Sequence, residues 1–341
     1  MKNRFLWLGL ILISLGILNS CKKNPNGGGG CTPGPGGTHA FLTYSSIINP
    51  STLGTEVFRE ELDKSVNIQV SHLTRGGRGF NGYAVVPSLS PNSLIFISDS
   101  MGTTVNSLFS IHADGTQLSR ISTKNTIGFI SMSLSPIPTY TSQNIPIYNF
   151  AVVYDPCPIC ETLVAVPPAL GIFNSSTQSV QRLTSSYSHA EWSKDGTKIY
   201  FDSKTLDPNS PGIPHIYSIL PDGTGLVQLT KTPYGEEYPS ISPDGKTIAI
   251  SSYMDSGHIE QEICFMNTDG TGLRKITNIG VTAVATQPCF SPLGNQIFFS
   301  FSDRSKPNIP SHIYSADIDG SNVQQFTTGN GEQFPFIGFF N

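Results

Sequence analysis

Along most of the chain, apolar and polar residues alternate with a period of two. KIYFDS (198–203) and QIFFSFS (296–302) are typical, with β-branched and aromatic residues between stops at Gly, Pro, Asp and Asn. That pattern predicts short strands joined by turns. The strand ends repeat. A Leu-Thr-like pair closes a strand as SHLT at Thr74, RIS at Ser122, QRLT at Thr184, VQLT at Thr230, RKIT at Thr277 and QQFT at Thr327. The successive spacings are 48, 62, 46, 47 and 50 residues. A Ser-Pro or Ser-Lys turn recurs in step at Ser90, Ser135, Ser193, Ser242 and Ser291. An Asp-Gly pair precedes the closing strand at Asp114-Gly115, Asp222-Gly223, Asp269-Gly270 and Asp319-Gly320. Asp-Gly between alternating runs is a hairpin signal, because Gly accepts the positive φ the turn needs.

One repeat reads as four strands, for example 238–242, 247–252, 262–267 and 273–277. Four antiparallel strands in every 45–50 residues is the pattern of propeller blades. Complete units cover roughly 80–125, 126–186, 187–232, 233–278 and 279–328. One strand is left at the C-terminus (332–340) and three at the N-terminus (40–46, 57–62 and 67–74). The chain is therefore expected to be all-β, a six-bladed β-propeller of four-stranded antiparallel blades. One C-terminal and three N-terminal strands would close it, leaving no long exposed edge. Failure of 332–340 to pair beside 40–46 would exclude six blades.

The best units, PSISPDGKTIAISS with NTDGTGLRKIT and AEWSKDGTKIYFDS with HIYSILPDGTGLVQLT, resemble the TolB-type propeller repeat. The resemblance is strong over 187–328 and weak over 126–186. It implies a periplasmic or envelope propeller with protein or peptide partners. The family also includes the propeller domains of prolyl-oligopeptidase-like enzymes. The chain has room neither for their hydrolase domain nor for the α/β domain that precedes the TolB propeller.

Composition agrees with a strand-and-turn protein: 33 Gly, 25 Pro and only 13% charged residues. The formal charge is −4. No basic run survives to neutralise a phosphate backbone, so nucleic acid is not an expected partner. At the N-terminus, MKNRFLWLGLILISLGILNSC combines a basic start, an apolar run and Leu18-Asn19-Ser20 before Cys21. The segment resembles a bacterial lipoprotein signal, which implies cleavage before Cys21 and a lipid on that residue. Residues 22–37, rich in Gly and Pro, read as a tether. The expected organisation is a signal over 1–20, a lipidated tether over 21–37 and the propeller over 38–341. The address is the bacterial envelope, at the outer membrane, with the lipid as the membrane contact and the chain a monomer.

The candidate chemistry is modest. Recurrence in blade after blade marks the Asp-Gly loops, and Asp244 of SPDGK, as folding devices and not calcium ligands. The opposite, variable loops (204–214, 253–261, 302–311, 99–107 and 155–168) define a face where binding is expected. Around the channel mouth on that face, His189, Glu191, Glu236, Glu237, Gln287, Glu332 and Gln333 are the candidate ligand residues. They suit a peptide terminus, a cation or a polar glycan, and equally a water-filled channel lining. Tyrosines 187, 238 and 253 ringing the mouth would favour a carbohydrate- or peptide-binding role in uptake. Cys157 and Cys160 read as a small disulfide pinning a loop, with a redox pair or half a zinc site as alternatives. Cys264 and Cys289 are expected to be buried thiols. His215 and His312, equivalent in their repeats, are expected at strand starts and not as a metal pair. No catalytic set, metal site or cofactor motif is found, and a metal-dependent lyase or lactonase is the least favoured reading.

Overall fold

A computed structural model describes residues 41–49, 54–61, 67–69, 85–87, 93–98, 106–112, 114–123, 127–155, 168–306, 311–328 and 333–335. All lie within one compact unit, Ala40–Asn341. Cys21, Cys31, Cys157, Cys160 and Glu332 fall outside the described residues.

The strands follow in chain order. β1 (Phe41–Asn49), β2 (Gly54–Glu61) and β3 (Asn67–Gln69) belong to the first blade. β4 (Val85–Pro87), β5 (Ser93–Ser98), β6 (Ser107–His112) and β7 (Ser119–Arg120) form the second. The third uses β8 (Gly128–Leu134), β11 (Asn149–Asp155), β12 (Ala169–Asn174) and β13 (Ser179–Ser185). A two-stranded hairpin, β9 (Thr139–Tyr140) and β10 (Pro146–Ile147), is inserted after its first strand. The fourth blade is β14 (Ala190–Trp192), β15 (Ile199–Ser203), β16 (His215–Ile219) and β17 (Val227–Gln228). The fifth is β18 (Glu236–Ile241), β19 (Thr247–Tyr253), β20 (Gln261–Asn267) and β21 (Arg274–Lys275). The sixth is β22 (Ala283–Phe290), β23 (Gln296–Asp303), β24 (His312–Asp317) and β25 (Gln324–Gln325). β26 (Gln333–Pro335) then pairs antiparallel with β1, Ser45 opposite Phe334, and completes the first blade. The inner strands β4, β8, β14, β18, β22 and β26 neighbour one another in that order. This is a six-bladed propeller closed by one C-terminal and three N-terminal strands.

Among the described side chains the core lies between blades, and the fourth and fifth sheets are buried on both faces. In β19, Ile248 and Ile250 pack toward the fourth blade beside Tyr200 and Ile216, while Ala249 packs toward the sixth beside Phe290 and Phe299. In β15, Ile199 and Phe201 join Trp192 and Val153 on one side, and Tyr200 joins Ile241 on the other. The period of two thus sorts side chains between two apolar clusters instead of between core and water. Backbone bonds stitch adjacent blades as well. The Phe129 amide donates to the Asn106 carbonyl at 3.3 Å, and the Glu236 amide to that of Pro214 at 2.8 Å.

The repeated closing Thr has a physical cause. Thr230, Thr277 and Thr327 are buried, and each γ-oxygen accepts the amide of the third strand's Ile216, Ile263 or Ile313 at 2.9–3.0 Å. Ser122 does the same for Leu108 at 2.9 Å, which is why Ser serves in that blade. The fourth strand stops short of the expected 273–277 for this reason. Ile276 donates to the Ile263 carbonyl and Thr277 turns in to accept from the Ile263 amide, so the ladder ends at Lys275. Thr184 differs: it stays in the ladder opposite Leu170, in the blade that carries the extra hairpin.

The Asp-Gly turns are equally uniform. Asp114, Asp222 and Asp269 each accept from both the amide and the hydroxyl of a Thr two residues on, and Asp319 does so from Ser321. These bonds hold all four carboxyls below the ordinary Asp range. At Gly320 φ is +87°, and a Cβ would meet the Ile276 carbonyl at 2.1 Å, so Gly is required twice over. In the first-to-second turns, Ser242 donates to Asp244 and Ser193 to Asp195, both at 2.6 Å. Where Leu293 replaces that Asp, Asn295 takes the Ser291 bond at 2.9 Å.

Thr230→Val keeps the shape but leaves the buried Ile216 amide without its acceptor. Chemical denaturation should show a loss of about 1–3 kcal/mol, and Thr230→Ser should recover most of it.

Candidate functional site

At the ends of the fourth and fifth blades, on the face of the variable loops, Asp202 is fully buried in β15. Its Oδ1 accepts the Ser188 amide at 2.7 Å and the His189 amide at 3.2 Å. Its Oδ2 accepts the Ser188 hydroxyl at 2.7 Å and the Tyr238 amide at 3.0 Å. One carboxylate therefore ties the entry to β14 to the bulge of β18. Tyr238 gives its amide to Asp202 and adopts φ 56°, and β18 bulges between Glu237 and Ser240. A positive φ on a bulky residue is strained, and Asp202 is the partner that holds it. Gln287 sits at the equivalent bulge of β22 with φ 54°; its Oε1 is buried without a hydrogen-bond partner.

The bulge separates the two neighbouring glutamates. Glu236 is wholly buried; its Oε2 lies 3.2 Å from His215 Nδ1, and Oε1 accepts from the Thr232 hydroxyl. Sequence placed this carboxyl at the mouth, whereas the structure commits it to His215 across the blade junction. Glu237, also buried, has its Oε2 accept the Tyr253 hydroxyl at 3.1 Å, and Oε1 lies 3.7 Å from the Lys204 ammonium. Lys204 in turn stands 3.4 Å from the centre of the Tyr187 ring, a cation–π contact. Tyr253 stacks on His258 with centroids 4.4 Å apart.

Burial pushes the Glu237 carboxyl up to about 7, and the neighbouring Asp202 charge pushes the same way. Lys204 and the Tyr253 hydroxyl oppose this without overcoming it. The Tyr238 and Tyr253 phenols are both raised, first by burial and then by the Glu237 charge. The site thus contains a carboxyl that changes charge near neutrality, beside three tyrosines and one ammonium.

The other expected residues are spread out. His189 is half-buried, 6.3 Å from Tyr238 between ring centres; burial lowers its pKa against Glu191 and Asp202. Glu191 pairs with Lys194 at 3.0 Å. Gln333 is in β26, its backbone opposite Ser46. His215 and His312 are the first residues of β16 and β24. Cys264 is buried, and burial pushes its thiol up to about 12. Cys289, in the bulged part of β22, is only half-buried. Among the described residues, no three His, Cys, Asp or Glu side chains gather as a metal would need. Sequence reasoning missed Asp202 and Lys204. The Asp looked like one more polar position in KIYFDS, and its four donors come from residues 13–36 positions away.

The blades and this end define a six-bladed propeller with a polar, aromatic cluster on its loop face. Residues 168–336 match the family model of the TolB beta propeller domain, so this stretch carries TolB-type propeller repeats. TolB from Acinetobacter baumannii superposes with a TM-score of 0.63 at 14% identity, over 88% of this chain and 66% of that one. The chain thus spans just under two thirds of that protein. Putative TolB from Agrobacterium tumefaciens gives 0.54 at 17% identity, over 90% and 100%. A chain of a nidogen/laminin complex gives 0.57 at 8%, over 89% and 97%. These likenesses are of fold. No curated protein matches the sequence.

Because the Glu237 pKa is about 7 when folded, against an ordinary 4.5, the folded protein keeps a proton that the unfolded chain has lost between those values. Stability therefore falls as pH rises through that window. Glu237→Gln removes the penalty. Its melting temperature relative to wild type should climb from pH 4.5 to pH 8, by the equivalent of about 3 kcal/mol. A gap independent of pH would contradict the assignment.

Proposed function

We propose that the chain is a lipid-anchored propeller of the bacterial envelope that binds a protein or peptide partner on its variable-loop face, as a scaffold and not as an enzyme. The observation that carries this is the division of labour between the faces. One is occupied by the repeated Asp-Gly and Ser-Pro turns. The other gathers Tyr187, Lys204, Glu237 and Tyr253 over a rigid base. Concave ends with a few polar groups and a perturbed carboxyl are where ligands bind. Similarity to TolB propellers supports an envelope setting, and the similar chain in a nidogen/laminin complex is an example of such a fold in a protein assembly. The lipid on Cys21 would hold the propeller at the outer membrane through the 22–37 tether, with His189, Glu191, Gln287, Glu332 and Gln333 around the same mouth. The reading calls for no cofactor and no nucleic acid, and the propeller would act as a monomer.

A second reading, a glycan-binding lipoprotein of an uptake system, is favoured by the tyrosines. Tyr187 is close enough to raise the Tyr238 and Tyr253 phenols, as Tyr253 is to raise that of Tyr238, and such rings suit sugar faces.

Two experiments test the proposal. Cross-linking in the native envelope should capture a reproducible protein partner, and removal of Tyr187 and Tyr253 together should abolish the capture. Binding to a sugar library with no captured protein would favour the second reading. For the anchor, labelled fatty acid should enter the wild-type chain and not Cys21→Ala, which should appear in the soluble envelope fraction.

A further inference from the structure

We propose that Glu237, Tyr187 and Tyr253 frame a receptor for a primary ammonium group, the N-terminal amine or a lysine of a peptide, and that Lys204 is its resident stand-in. The inference rests on the partner-binding reading and names the group that the partner would present.

The geometry around Lys204 carries the argument. Its Nζ is 3.4 Å from the Tyr187 ring centre yet 3.7 Å from Glu237 Oε1, beyond hydrogen-bond length. The ammonium is held by a ring face and a field, not clamped by the carboxylate. Tyr253 occupies Oε2, so Oε1 is the oxygen turned to the cation. Below lies Asp202, whose oxygens are committed to Ser188, His189 and Tyr238; it contributes negative charge but no contact.

Exposure points the same way. The Lys204 side chain is 29% exposed and that of Glu237 only 5%. The acceptor is fixed and desolvated, while the cation sits at the water boundary. The Lys204 carbonyl is tied to the Gly212 amide at 3.1 Å. Withdrawing the ammonium therefore takes side-chain rotations alone, and the loop need not move. A tethered lysine is a competitor at high effective concentration, so it weakens any incoming ammonium until it swings out. An incoming amine would inherit the same ring and oxygen. A guanidinium, planar and built for paired acceptors, is a poorer match for one free oxygen over one ring. His189 and His258 lie beside the tyrosines, and Arg304 acts on the Tyr253 phenol from the sixth blade.

The test uses calorimetry with Lys-Gly-Gly-amide and its doubly acetylated form as probes, on the full propeller. Lys204→Met should bind the free peptide about tenfold more tightly than wild type, because the internal competitor is gone. Glu237→Gln should bind it at least about tenfold more weakly, and the acetylated peptide should bind none of the three proteins. Thermal melts establish that both variants fold, and Lys204→Met alters a partly exposed side chain. No gain in Lys204→Met, or equal binding of the acetylated peptide, overturns the proposal. So does binding of acetyl-Gly-Gly carboxylate that Lys204→Met abolishes, since the site would then take an anion. Envelope cross-linking separates the two readings. A partner captured equally by wild type and both variants removes the ammonium receptor and leaves the scaffold. Peptide binding as expected with no captured partner keeps the receptor and removes the scaffold.

Discussion

Asp202 accepts four hydrogen bonds without any exposure to water, and they come from two blades. A buried carboxylate is costly unless its lone pairs are filled, and here three amides and a hydroxyl fill them. In return it holds the entry to β14 through Ser188 and His189, and ties it to the bulge of β18 through the Tyr238 amide. Tyr238 has positive φ there, as Gln287 has at the equivalent bulge of β22. The bulge sends Glu236 to His215 inside the blade junction and leaves Glu237 for the loop face. The unspent part of the Asp202 charge then acts on Glu237, adding to burial in raising its carboxyl. Backbone position and electrostatics at this end of the protein thus meet at one residue.

That anchor works because the scaffold around it is stiff. The fourth and fifth sheets are buried on both faces, so neither blade can shift without disturbing two apolar clusters. In four blades the closing Thr or Ser ties the fourth strand to the third, and β26 ties the last segment to the first blade. Such a frame leaves variation to the loops between second and third strands. The fold alone does not choose a ligand; the groups placed on that rim do.

Much of the architecture was legible because it repeats. A residue type recurring every 46–50 positions reports a repeated rule: Thr230 and Asp222 each obey one within a single blade, and Gly320 one where two blades meet. The third blade was faint because β9 and β10 interrupt it and Thr184 does not take the capping position. The site was only partly legible for the opposite reason. Adjacent glutamates at 236 and 237 look interchangeable in sequence. Only a backbone that bulges at Tyr238 distinguishes them. Lys204 is likewise an ordinary loop cation until Tyr187, seventeen positions earlier, is seen beneath it. Contacts unique to one blade junction leave no periodic trace.

The dependence of the site on Asp202 is open to direct measurement. The Glu237 carboxyl can be titrated by isotope-edited infrared or carbon NMR spectroscopy, in wild type and in Asp202→Asn. The account predicts a midpoint of about 7 in the wild type and a lower one in the variant, with the Tyr253 hydroxyl still bonded to Glu237. An ordinary carboxylate midpoint in the wild type, or one that Asp202→Asn leaves unchanged, would contradict it.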